Sequence, residues 1–196
     1  MTMHERPAID PVEAFLDAAD EVLNSNTFLV EVPPASGDLI ADVTDFIRSG
    51  RLLQALLAAD KARGWYNLHR FTAGGELAPI PGSLAKADFS LVSRTSHCST
   101  GEYLQAMLRG DSIFGNFTSF YRCEKSPEEA RQLTQKLLEH LFARSEPSLH
   151  LFEADFLQGV SAGIDEACYF EGKGCDNAAL LTGASVAYLL LTNGMP

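Results

Sequence analysis

His97-Cys98 lies between an expected strand end and an expected helix opening. A helix N-terminus lowers a thiol's pKa and makes it a better nucleophile, so Cys98 is the residue best placed for covalent chemistry. Adjacent side chains point apart, so His97 need not be its base; His69, His140 or His150 would have to approach from elsewhere. No local signature surrounds the pair, and a lone cysteine is more simply a small core residue.

Glu153, Asp155, Asp165 and Glu166 form the other titratable set. Like charges gathered in a cleft raise one another's pKa values and suit acid and base work in hydrolysis. A zinc centre would draw on Cys98, Cys123, Cys168, Cys175 and the histidines. Structural zinc ligands usually come in pairs two to four residues apart, whereas six residues separate Cys168 from Cys175, the nearest cysteine pair. There is no His-Glu-x-x-His helix either, so no metal and no cofactor are expected. Gly172-Lys173-Gly174-Cys175-Asp176-Asn177 superficially resembles a phosphate cradle. Asp176 occupies the helix start that a phosphate would need, and no acid follows it to hold a ribose.

Charge is the stronger signal. The chain has 196 residues and a net charge of -11. Positions 1 to 47 hold ten acids against Arg6 alone, and positions 147 to 196 hold six acids against Lys173. Arg48, Arg51, Lys61 and Arg63 make the one locally basic stretch. Binding along a nucleic-acid backbone needs a basic stripe, and none is present, so no nucleic-acid partner is expected. The same field repels anionic membrane surfaces and attracts basic proteins.

Within the acidic segment, Glu13, Asp17, Asp20 and Glu21 are spaced to share one side of a first helix whose other side is apolar. No lysine or arginine lies between Arg6 and Arg48 to neutralise them. These four are the expected partner-binding residues. The functional expectation is an acidic, non-catalytic binding protein that recognises a basic protein partner, as a stoichiometric inhibitor or immunity-type protein would. The alternative is a small hydrolase or transferase using Cys98 with a histidine, or the carboxylates at 153–166.

The elements that must position these residues follow from pattern. Apolar residues from Val12 to Leu23 recur at helical spacing behind Asp10 and Pro11, a cap and a first-turn proline. A second helix, capped by Ser36 or Asp38, carries Leu39, Ile40, Val43, Phe46 and Ile47; a third runs from Arg51 to Gly64. Strands are expected at 65–71, at 87–95 and at 113–123, where alternation is the signal. Ser99 with Glu102, and Ser126 with Glu129, have capping-box spacing and open two further helices. The second should reach about Arg144 and bury Ala130, Leu133, Leu137, Leu138 and Leu141. Strands are expected at 149–154, 168–171 and 186–192, with a short helix at 176–182. The sum is one α+β domain over 1–196. Its helical N-terminal subregion, 10–64, packs on a mostly antiparallel sheet within 65–196 that carries two or three more helices. No secretory signal and no bilayer-length apolar run are visible, so the expected location is the cytoplasm, with reduced cysteines.

Overall fold

The computed structural model describes residues 10–65, 69–79, 93–94, 96–115, 117–119, 121–143, 145–152 and 177–194. In chain order the elements are α1 (Pro11–Leu23), β1 (Ser25–Val32), α2 (Leu39–Arg48), α3 (Arg51–Ala62), β2 (His69–Phe71), β3 (Leu77–Pro79), β4 (Ser93–Arg94), α4 (Thr100–Leu108), α5 (Pro127–Phe142), β5 (Ser148–Phe152), β6 (Asn177–Thr182) and β7 (Ala187–Gly194). The fold is α+β. Five strands form one sheet in the order β1-β7-β6-β5-β4 with every pairing antiparallel, and β2 and β3 form a separate hairpin.

Strand parity sorts the core into two layers. Phe28 and Val32 of β1, Ala178 and Leu180 of β6, and Leu189 and Leu191 of β7 face Val43, Phe46 and Ile47 of α2 and Leu52 and Leu56 of α3. The intervening residues Ala179, Leu181 and Leu190 face Phe15, Ala19 and Val22 of α1, Leu104 and Met107 of α4, and Leu137 of α5. Successive side chains of a strand point to opposite faces, so a sheet covered on both sides must be apolar at consecutive positions. The N-terminal helices are thereby split, α1 on one face and α2 with α3 on the other.

Local signals account for the helix starts. Asp10 caps α1 by accepting from the Val12 amide at 2.8 Å, and Asn24 ends it in the left-handed conformation, from which the chain enters β1 directly. Asp38 caps α2 through the amides of Ile40 and Ala41. Both expected capping boxes are present. At α5, Ser126 Oγ accepts from the Glu129 amide at 3.3 Å while Glu129 Oε2 accepts from the Ser126 amide at 3.0 Å. Ser126→Ala should therefore lower stability by about 0.5 to 2 kcal/mol, and a denaturant melt that does not move would show the cap to be idle.

Four expectations need correcting. The short helix expected at 176–182 is strand β6 over Asn177–Thr182. Its Ala-Ala-Leu-Leu run shows no alternation because both of its faces are buried, leaving periodicity unable to separate strand from helix. The strand expected at 113–123 is turn and irregular backbone in its described residues. There Phe117 is buried while Ile113 and Tyr121 are exposed, so the alternating apolar residues do not line one face. Of the expected stripe on α5, Leu137 is fully buried, but Leu133 and Leu141 are only half-buried; Ala130, Thr134 and Phe142 complete the buried side. Ser25–Val32, inside the subregion expected to be helical, is a full edge strand of the main sheet. The expected strand at 168–171 lies outside the described residues.

Candidate functional site

The four acids of α1 meet the basic stretch of the same chain. Arg63, the residue that ends α3, extends its guanidinium to three carboxylates: Nη1 donates to Glu13 Oε2 at 2.6 Å, and Nη2 donates to Asp17 Oδ1 at 2.6 Å and to Asp20 Oδ2 at 3.2 Å. Because α1 and α3 lie on opposite faces of the sheet, this contact passes around its edge at β1. Arg63 also stacks over the Trp65 ring, with its guanidinium carbon 5.3 Å from the ring centroid. Its Nε is buried and has no acceptor among the described residues. Glu21, the fourth acid, pairs with Lys125 Nζ.

The four acids are not equivalent. Glu13 and Asp17 keep 57% and 69% of their side chains exposed, against 18% for Asp20. Asp20 accepts from the Thr27 amide of β1 through Oδ1 and from Arg63 through Oδ2, so it ties strand, helix and guanidinium together. Burial pushes its carboxyl up to about 6, against the bonds from Thr27 and the pull of Arg63, which favour the charged form. Burial opposes the charge of Arg63 too, but Asp17, Asp20 and Glu13 together hold it more firmly protonated than usual. Chemically this is a cluster of charged groups hydrogen-bonded to one another.

Beside it, α1 and α5 enclose a groove of about 440 Å³ lined by Asp17, Glu21, Lys125, Glu129, Leu133 and Lys136. Lys125 is placed there by its own backbone, whose amide donates to the Leu108 carbonyl at the end of α4. The groove's lining includes the acids Asp17, Glu21 and Glu129 and the lysines Lys125 and Lys136. Arg63 and Lys125 are members of the site that spacing along the chain does not reveal. The one trace of Arg63 was the basic cluster at 48–64 standing opposite an acidic segment in the charge count, and Lys125 left none.

The residues of the enzymatic alternative are placed differently. Cys98 is half-buried just ahead of the Ser99 cap of α4, packed against the core layer of α1, α4 and α5. Its sulfur is 3.4 Å from Ser96 Oγ, which also receives the Cys98 amide at 3.3 Å. His97 is exposed. The carboxylates of Glu153, Asp155, Asp165 and Glu166, the cysteines Cys168 and Cys175, and the glycine-rich turn at 172–177 up to Asp176 lie outside the described residues. Among the described residues no cluster of three His, Cys, Asp or Glu side chains could hold a metal, and no helix is long and apolar enough to cross a membrane. No family model, no curated protein and no solved structure matches the chain.

Proposed function

We propose that this protein is a non-catalytic binding protein that recognises a basic protein partner through the acidic side of α1, in the manner of a stoichiometric inhibitor or immunity-type protein. One observation carries the reading: among the described residues, the acids of α1 outnumber the cations that reach them. Glu13, Asp17 and Asp20 share one guanidinium, and Glu21 has one ammonium. The excess negative charge resides on Glu13 and Asp17, the most exposed of the Arg63 partners, where a basic surface would meet it. Exposed pairs of this kind contribute little to stability, about 0 to 1 kcal/mol each, so weakening them to bind a partner costs little. Complementary charge mainly raises the association rate and selects among partners.

The test is charge reversal at the exposed acids with Asp20 untouched, because Asp20 holds β1. A partner captured from source-cell extract at low salt should associate about tenfold more slowly with the Glu13→Lys, Asp17→Lys double variant, and its rate should depend less steeply on salt. Unchanged association kinetics in a variant that still melts cooperatively would remove the acidic side of α1 from the interface.

A further inference from the structure

β1 is an edge strand, and one side of its backbone is paired with β7 over its whole length. The Thr27 amide, which donates to Asp20, points away from β7, whereas the Asn26 amide points toward it and donates to Asn193 Oδ1. Backbone groups alternate sides along an antiparallel strand, so the amides and carbonyls of Leu29 and Glu31 point outward with Thr27. Asp20 closes the edge at Thr27. Beyond it, the outward groups of Leu29 and Glu31 have no partner among the described residues. Leu29 and Val30 are half-exposed there and Glu31 is exposed. Native proteins usually blunt such an edge, because unpaired amides and carbonyls are a template for another strand.

We infer that the outer edge of β1 at Leu29–Glu31 is a strand-addition site for an extended, basic segment of a partner protein. This rests on the acidic-surface reading, since charge chooses the occupant. Glu31 stands on the edge strand itself, and Asp20, bonded to the Thr27 amide of the same strand, shares the Arg63 guanidinium with the Glu13 and Asp17 carboxylates. A second copy of this chain would bring the same acids face to face at a net charge of -11 per copy, which disfavours pairing of two β1 edges. A segment alternating lysine or arginine with β-branched residues supplies both the backbone partners and the countercharge.

The probe is a synthetic peptide alternating lysine and valine, as long as β1, titrated onto the intact protein. Binding should protect the Leu29 and Glu31 amides from hydrogen exchange. Methylating alternate peptide nitrogens should weaken it about tenfold, roughly the loss of one or two hydrogen bonds. Glu31→Pro removes an outward donor at an edge position that tolerates proline and should weaken binding to a similar degree, whereas Glu31→Gln should cost about threefold or less. No binding, protection confined to other amides, or dimerisation through β1 without peptide would each overturn the inference. The two readings fail separately. Salt-sensitive binding that N-methylation leaves unchanged sinks the edge and spares the acidic surface. Equal binding of an uncharged threonine and valine peptide to the same amides overturns the basic occupant, whereas the acidic-surface reading fails on unchanged association of the captured partner with the Glu13→Lys, Asp17→Lys variant.

Discussion

Leu137→Ala should lower the free energy of unfolding by about 2 to 5 kcal/mol, through lost transfer energy plus the cavity left behind. Leu137 is fully buried in the layer shared by α1, α4 and α5, and its neighbours there include Leu104, Met107 and Phe15. Leu104 and Met107 stand on α4 and Phe15 on α1, so they cannot collapse into the space without moving a helix. The half-buried Leu133 supplies the internal comparison. Leu133→Ala should cost about half as much or less, because less apolar area leaves water at that position. Urea melts of both variants decide the matter. Equal losses would mean that α5 is rotated from the orientation described.

The second large effect is a pH dependence that belongs to Asp20. Its folded-state pKa of about 6 lies above the ordinary value of 3.8, so between these values the folded protein holds a proton that the unfolded chain has released. Stability therefore falls as pH rises through this window, and above it the full cost of keeping a buried charge is present. At about 1.4 kcal/mol per pH unit, the window corresponds to about 3 kcal/mol. Asp20→Asn keeps an acceptor for the Thr27 amide and cannot titrate. The stability of the variant relative to the parent should thus rise by about that amount between pH 4 and pH 7. Asp42, held low chiefly by hydrogen bonds from Ala35 and Ser36, and the capping acids Glu102 and Glu129, held low by their serines, have the opposite sign: their contribution is lost as pH falls. Subtracting parent from variant cancels them. A difference that stays flat with pH, read by urea melts at each pH, would show that Asp20 titrates as an ordinary exposed carboxyl.

Helix starts were legible because the interactions that make them are local. The capping boxes at Ser99 and Ser126 close within three residues, and Asp10 and Asp38 cap within two or three, so spacing alone carries the information. Strands were legible only where burial was one-sided or the run was long and ended by turn residues, as at β5 and β7. β6 was misread because an internal strand in a doubly covered sheet reads as an unbroken apolar run, and alanine and leucine favour helix when nothing else decides. The alternation at 113–123 misled for the opposite reason: Ile113 and Tyr121 stay in water, so their spacing reflects no shared surface.

On the acidic side of α1, helical spacing is enough to bring Glu13, Asp17, Asp20 and Glu21 toward a shared helical side, and the chain-local charge shows no base close by to neutralise them. Both conclusions need no knowledge of the fold. What those acids meet is set by the packing of elements far apart in the chain. Arg63 is 43 to 50 residues away along the chain and Lys125 is 104 away from Glu21, and each arrives through the way α3 and the end of the α4–α5 connection pack around the sheet. The tertiary structure also separated the four into exposed carboxylates and one buried link to β1. Burial depends on which elements cover a residue from outside its own helix, and a helix's own sequence carries no record of that.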